Sequence, residues 1–232
     1  QMLRLLICAL LSSCPVQISY RSPLCEDMKA AIACCEALGA NIITEKNVCT
    51  VYPPKQPNGI AVLPCSDSGA ALRFFTALCA ALGIKATLVF SDGLARRPIQ
   101  PLLEALRENG AVFHTEKNSL TLSEGLSSCD FTVPGHISSQ FVSALLFACA
   151  VKGGSVTLSS PLKSREYVRM TLQALSRFGC AFSENNGVYT VSKAFPLTPS
   201  DKCFWTEGDW SNAAFWLCAG ALSSRPLVIT GL

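Results

Sequence analysis

One segment of the chain recurs at intervals of about 70 residues. Residues 39–47, GANIITEKN, return at 110–118 as GAVFHTEKN and, more loosely, at 179–186 as GCAFSENN. The leading glycines lie 71 and then 69 residues apart. A repeat of this length is one supersecondary unit that stacks on its neighbours to bury a common core. The period therefore constrains the fold more than any single motif does.

Each repeat shows the same predicted order of helices and strands. A helix with apolar residues three and four positions apart ends just before each leading glycine, which suits a left-handed C-terminal residue. Two strands with alternating apolar and polar residues follow, joined by a short polar turn, and a further strand then leads into a second, more apolar helix. The first helix family is predicted at 26–38, 98–109 and 166–178, and the second at 4–11, 69–82, 138–151 and 211–222. This pattern predicts an α/β fold of βαβαββ units.

The repeats divide the chain into a large part and a short remainder. Units over about 1–57, 58–127 and 128–195 predict a three-repeat domain at 1–206. Residues 207–232 are interpreted as the start of a fourth repeat, with a strand at 226–230, that belongs to a second domain missing from the chain. Because the sequence begins without Met and ends inside a repeat, we interpret it as a fragment of a longer protein.

Composition argues against several classes of protein. A net charge of +3 gives no dense basic face for nucleic acid. The apolar stretches at 141–151 and 213–222 are shorter than the roughly 20 residues of a spanning helix, so we expect no membrane association. The 13 cysteines lie in apolar helical stretches, as small hydrophobic residues do in a reducing cytoplasm. We expect neither a metal nor a cofactor.

The start of the chain has a second interpretation. Arg4, the apolar residues 5–11 and Cys14 resemble a short signal sequence that ends at a lipidated cysteine. The same residues, however, occupy the repeat position of residues 72–79, which form an internal helix. The repeat therefore favours a helix of the folded domain.

Small or polar residues stand at three helix entrances, namely SDSG at 66–69, GHISSQ at 135–140 and GDWS at 208–211. A helix start exposes unpaired amides and a partial positive charge, and several converging starts can bind a multiply charged anion. The alternative is that these residues are ordinary N-caps. Arg97 precedes a predicted helix, where it binds an anion or remains solvated. Arg73 lies between apolar neighbours and has either a structural or a ligand-binding role.

Four segments resemble, in order, the signatures of the enolpyruvylshikimate-phosphate synthase family. They are SGAALR at 68–73, RPI at 97–99 with LLEAL at 102–106, SSQF at 138–141 with SALL at 143–146, and EGDWS at 207–211. The resemblance covers essentially the whole chain and implies an inside-out α/β barrel domain of three βαβαββ repeats. It also implies transfer of the enolpyruvyl group of phosphoenolpyruvate to the 5-hydroxyl of shikimate 3-phosphate, with release of phosphate, in aromatic amino acid biosynthesis.

The resemblance also implies ligands for the two anionic substrates. Shikimate 3-phosphate would be bound by Arg4, Ser138, Ser139, Gln140 and Ser164, with Tyr167 nearby. Phosphoenolpyruvate would be bound by the Gly69 backbone, Arg97 and Gln140. The family's catalytic acidic residues would lie beyond Leu232, so we expect the 232-residue chain by itself to be inactive and the full-length protein to be a monomer.

Two other functions remain open at this point. The sister enolpyruvyltransferase that acts on UDP-N-acetylglucosamine shares the repeat fold, although the SSQF segment and the pair Arg97-Pro98 favour shikimate phosphate. The chain could instead be a non-catalytic repeat scaffold whose helix starts are only caps.

Overall fold

The structure, a computed structural model, describes residues 1–21 and 23–231. The first repeat contains α1 (Met2–Leu10), β1 (Val16–Ser19), α2 (Glu26–Ala37), β2 (Asn41–Glu45) and β3 (Val48–Tyr52). The second contains β4 (Ile60–Ser66), α3 (Gly69–Leu82), β5 (Lys85–Phe90), α4 (Asp92–Ala95), α5 (Gln100–Glu108), β6 (Val112–Thr115) and β7 (Ser119–Glu124). The third contains β8 (Asp130–Val133), α6 (Ser139–Lys152), β9 (Gly154–Leu158), α7 (Arg165–Arg177), β10 (Phe182–Asn185) and β11 (Val188–Val191). The strand β12 (Cys203–Trp205) and helix α8 (Trp210–Ala221) follow.

The strands of the described residues form three four-stranded sheets of the same topology. Their orders are β4-β5-β7-β6, β8-β9-β11-β10 and β12-β1-β3-β2. In each sheet the first pair is parallel and the other two pairs are antiparallel. In the sheet of the first repeat, the first strand is β12, which pairs Ile18 with Phe204. In the sheets of the second and third repeats, the first strand is β4 or β8, which directly precedes the helix of the same repeat. In the sheet of the first repeat, this place is taken by β12, which follows the third repeat in the chain. The sequence pattern does not predict this exchange.

The helices α1, α3 and α6 form the centre of the core. Every residue of α1 is buried, as are nearly all residues of α3 and most of α6. The rings of Phe74 on α3 and Phe147 on α6 lie 5.4 Å apart between centroids. Because these helices are apolar on all sides, they are stable only when they are surrounded. The residues 5–11 that resemble a signal sequence lie in this buried region, as their position in the repeat predicts.

The helix ends and the hairpin turn of the repeats follow the sequence prediction. The glycines that follow α2, α5 and α7 have positive φ angles of 100°, 98° and 77° at Gly39, Gly110 and Gly179. The hairpin β2–β3 turns through Lys46 and Asn47, whose φ angles are 47° and 63°. Two central residues with positive φ form the kind of turn that matches the twist of paired strands.

The last part of the described chain differs from the prediction. Residues 226–230 are not a strand, since they form no hydrogen-bonded ladder with any described strand. Helix α8 buries only Ala213, whereas α1, α3 and α6 are buried over most or all of their length. No helix within residues 1–21 and 23–231 has the length and apolar character needed to cross a bilayer.

The cysteines pack as small apolar side chains. All 13 are free, and nine of them are buried, namely Cys8, Cys34, Cys35, Cys49, Cys65, Cys79, Cys129, Cys149 and Cys180. Burial raises the pKa of the Cys49 thiol to about 11 and also raises the pKa of Cys8 and Cys79. The thiolate is the reactive form of cysteine. These thiols are therefore both inaccessible and protonated.

We expect the nine buried cysteines to resist alkylation in the native protein. Brief treatment with iodoacetamide should modify the exposed Cys25 and leave Cys8, Cys79 and Cys149 unmodified, because burial blocks access and disfavours the thiolate. Peptide mass spectrometry measures the extent of labelling, and the same treatment in denaturant provides the control in which all cysteines react. Labelling of Cys79 as rapidly as Cys25 would contradict the helical packing of the core.

Candidate functional site

Three of the helix entrances carry side-chain caps. Ser68 accepts a hydrogen bond from the Ala71 N–H (3.2 Å), and Ser138 accepts one from the Gln140 N–H (3.2 Å). At α8, a carboxylate oxygen of Asp209 accepts a bond from the Ser211 N–H (2.9 Å). These three side chains therefore act as N-caps. A serine that caps a helix through its oxygen still has an O–H to donate, so capping leaves phosphate binding by Ser138 open.

One buried guanidinium connects three separate segments of the site. Nη1 of Arg73 donates to the carbonyl oxygen of Gly69 (3.2 Å) and to Oε1 of Gln140 (2.5 Å). Its Nη2 donates to the carbonyl oxygen of Pro98 (2.9 Å). The entrance of α3, the entrance of α6 and the segment that carries Arg97 therefore meet at Arg73. These segments contain all the residues that are predicted to bind phosphoenolpyruvate.

The place where these three segments meet at Arg73, called the corner below, is electropositive. Burial, and then the nearby positive charge of Arg97, lower the pKa of Arg73. Within residues 1–21 and 23–231, no carboxylate lies within 4.0 Å of a nitrogen of either arginine. Arg97 is exposed while Arg73 is only 7% exposed. Two neighbouring cations without a carboxylate partner favour the binding of an anion.

Arg4 occupies a second buried position beside this corner. Its Nε donates to Oγ1 of Thr171 (2.7 Å), and its Nη2 donates to the carbonyl oxygen of Tyr167 (3.1 Å). Its guanidinium carbon lies 5.4 Å from the centroid of the Phe74 ring. Burial lowers the pKa of Arg4 to about 10, so it remains protonated at neutral pH. These bonds use two of the five N–H donors of the guanidinium.

A buried polar network links Arg4 to the α6 entrance. Oγ1 of Thr171 accepts from Arg4 and donates to Oγ of Ser143 (2.9 Å). Ser143 lies on α6 one turn after Gln140. Arg4, which is predicted to bind shikimate 3-phosphate, is thus connected through two hydroxyls to the helix that carries Gln140. Ser143 belongs to the SALL segment at 143–146, and Thr171 lies outside every segment singled out from the sequence, although a polar residue in an apolar helical stretch is a signal for such a network.

A cavity of about 670 Å³ opens beside Arg4, between α1, α7 and the start of α8. Arg4 and Tyr167 both line it, and Oη of Tyr167 lies 2.8 Å from Oγ of Ser211 at the α8 entrance. The remaining charged groups of its lining are Arg21, Glu166, Glu207 and Asp209. The cavity therefore combines cations with hydroxyl and carboxylate oxygens.

The predicted serines lie at the N-termini of α6 and α7 and are not part of the cavity lining. Ser164 is the N-cap residue just before α7, and its carbonyl oxygen accepts a hydrogen bond from the Tyr167 N–H (3.2 Å). The Lys163 N–H donates to the carbonyl oxygen of Gly135 (3.1 Å), which ties the α7 entrance to the loop before Ser138. The structure thus connects Gly69, the Arg97 segment and Gln140 through Arg73, and it places Ser138, Ser139 and Ser164 at the N-termini of α6 and α7. Their contacts with ligands stay predictions.

Comparison with known proteins decides the family of this chain. A family model described as EPSP synthase (3-phosphoshikimate 1-carboxyvinyltransferase) matches residues 2–232. The chain belongs to the EPSP synthase family. The resemblance stated from its four sequence segments is thereby confirmed.

Two curated relatives of this EPSP synthase family chain are named 3-phosphoshikimate 1-carboxyvinyltransferase. The protein from Dehalococcoides mccartyi is 37% identical over 182 residues, which are 77% of this chain and 42% of the relative. The protein from Chlamydia felis is 35% identical over 217 residues, which are 89% of this chain and 47% of the relative. The chain spans about half the length of the curated relatives that it matches.

The fold is shared with solved structures of the family. EPSP synthase from Acinetobacter baumannii superimposes with a TM-score of 0.76 at 20% sequence identity, covering 95% of this chain and 50% of that protein. The predicted α/β fold with repeated βαβαββ units of the enolpyruvyltransferase kind is confirmed by this match and by the three equivalent sheets.

Proposed function

We propose that the protein that carries this sequence transfers the enolpyruvyl group of phosphoenolpyruvate to the 5-hydroxyl of shikimate 3-phosphate and releases phosphate. The observation that carries this proposal is the convergence at Arg73, where the segments of Gly69, Arg97 and Gln140 meet in an electropositive corner. The names of the curated relatives support the same reaction.

The residues of this chain are assigned to binding and orientation of the two substrates. Arg97, the Nε2–H donors of Gln140 and the amides near Gly69 bind the phosphate and carboxylate of phosphoenolpyruvate, where oriented donors stabilise charge. In the addition step the 5-hydroxyl oxygen bonds to the enol carbon and loses its own proton, while the methylene carbon gains a proton and becomes a methyl group. In the elimination step that methyl group loses a proton as phosphate leaves, which restores the double bond. We assign those proton transfers to residues outside this chain.

The cavity beside Arg4 suits an acceptor that carries both anionic groups and hydroxyls. Arg4 and Arg21 provide positive charge for a phosphate or a carboxylate. The oxygens of Glu166, Asp209 and Ser211 accept hydrogen bonds from hydroxyl groups. We therefore assign shikimate 3-phosphate to the side of the site that contains Arg4, Tyr167 and Ser164.

We also propose that residues 207–232 begin a second domain. Helix α8 has the apolar sequence of the buried helices α1, α3 and α6, yet Phe215 is 77% and Trp216 64% exposed. A helix that is apolar on most sides requires a covering layer. The curated relatives, which are about twice as long as the matched part, have the length for such a domain. We place the protein in the cytoplasm, which the 13 free cysteines support.

Substrate turnover tests the proposed reaction. The purified gene product that carries this sequence is mixed with phosphoenolpyruvate and shikimate 3-phosphate, and ³¹P NMR follows phosphate release and product formation. We expect turnover with this pair and none when unphosphorylated shikimate replaces shikimate 3-phosphate, because the serine and arginine contacts lose their anion. Turnover with UDP-N-acetylglucosamine instead would identify the sister reaction, and turnover with neither acceptor would contradict the proposal.

A further inference from the structure

The side-chain amide of Gln140 is held in one orientation. Its Oε1 accepts a 2.5 Å hydrogen bond from Nη1 of Arg73. A guanidinium has five donors and no acceptor, so only the oxygen of the amide can face it favourably. The two Nε2–H donors of Gln140 are therefore kept on the side away from Arg73.

Arg73 itself is fixed by contacts on several sides. It bonds the carbonyl oxygens of Gly69 (3.2 Å) and Pro98 (2.9 Å), and its guanidinium carbon lies 5.5 Å from the centroid of the Phe141 ring. The planar fork of an arginine can serve acceptors in several directions at once, whereas the ammonium of lysine is a compact point charge. The orientation of Gln140 is therefore set by a rigid, buried neighbour.

We propose that Arg73 is a positioning residue that turns the Nε2–H donors of Gln140 toward phosphoenolpyruvate bound between Gly69 and Arg97. This inference rests on the proposed function. With the amide turned the other way, the carbonyl oxygen would face an anion, and repulsion would replace two hydrogen bonds. Arg73 acts through Gln140 and is assigned no contact with the substrate.

The variant Gln140→Glu distinguishes the role of the side-chain oxygen, which faces Arg73, from the role of the Nε2–H donors, which face phosphoenolpyruvate. Glutamate keeps an oxygen for Arg73 and makes that contact an ion pair, so we expect the melting temperature to be unchanged or higher. It also places a carboxylate oxygen where the donors faced phosphoenolpyruvate, so we expect the KM for phosphoenolpyruvate to rise roughly 100-fold. Gln173→Glu, on the exposed side of α7, is the matched control and should leave the KM unchanged. An unchanged KM in Gln140→Glu overturns the proposal, even if an Arg73 variant fails to fold.

A double-mutant cycle tests whether Arg73 acts through Gln140. We expect Arg73→Lys to raise the KM for phosphoenolpyruvate roughly 10-fold in the wild-type background and less than about twofold in the Gln140→Ala background. Arg177→Lys is the control, since Arg177 also stacks on a ring, at 4.4 Å from the centroid of Phe204, but lies outside the three segments. An equal effect of Arg73→Lys in both backgrounds indicates a merely structural role and overturns the proposal.

Calorimetric titration of phosphoenolpyruvate into the same variants distinguishes this proposal from the proposed reaction. If the wild-type protein binds phosphoenolpyruvate with the expected pattern among variants but forms no product, the proposed reaction fails and the role of Arg73 stands. If the wild-type protein turns over and Gln140→Glu binds phosphoenolpyruvate normally, the role of Arg73 fails alone. A wild-type protein that neither binds phosphoenolpyruvate nor turns over contradicts both.

Discussion

Arg97→Ala is expected to lower kcat/KM for phosphoenolpyruvate roughly 30- to 800-fold, which corresponds to a loss of about 2 to 4 kcal/mol of transition-state stabilisation. Arg97 is exposed at the start of the segment whose Pro98 carbonyl is held by Arg73. An exposed guanidinium next to a backbone carbonyl that Arg73 holds is suited to binding an anion, as proposed above. Steady-state kinetics of the gene product, with shikimate 3-phosphate saturating, measure the loss.

The neighbouring Arg96 provides a control for this prediction. Arg96→Ala removes the same charge from an exposed position one residue earlier in the chain, outside the set of predicted ligands. We expect its kcat/KM to stay within about threefold of the wild-type value, since general electrostatic attraction is screened over about 8 Å in physiological salt. Equal losses in the two variants would show that Arg97 acts only through long-range charge, and would remove it from the binding site.

Phe147→Ala is expected to destabilise the protein by about 3 to 5 kcal/mol. Phe147 is fully buried on α6 and packs against Phe74 of α3, with 5.4 Å between ring centroids. Its removal leaves a cavity between the two central helices, which cannot collapse because both are enclosed on all sides. Urea denaturation followed by circular dichroism measures the change in the free energy of unfolding.

Phe182→Ala makes the same chemical change at the surface. Phe182 lies on β10 and is 40% exposed, so its loss opens no closed cavity. We expect a cost of about 1 kcal/mol, in keeping with the smaller apolar area that leaves water on folding. If both variants lost the same stability, the assignment of α3 and α6 to the centre of the core would be wrong.

The repeats made most of the local structure predictable. Helix α3 begins and ends at the residues that periodicity indicated, and the glycine after each of α2, α5 and α7 has the expected positive φ. These features depend on residues that are close in sequence, such as a cap and the turn that it closes. The strand expected at 226–230 was wrong because a strand is stable only beside a partner, and its partner is not a local property of the sequence.

For the site, the sequence determined which segments carry the groups that are predicted to bind anions, and the tertiary structure decided how these segments meet. Helix starts, the arginine before Pro98 and the SSQF segment were recognisable because their chemistry is carried by neighbouring residues. The bonds of Arg73 to Gln140 and of Arg4 to Thr171 join residues 67 and 167 positions apart. Likewise, β12 completes the sheet of the first repeat by pairing with β1, although it lies after the third repeat in the chain. Such pairings depend on how the three repeats pack around α1, α3 and α6, so they follow from the fold as a whole and from no local pattern.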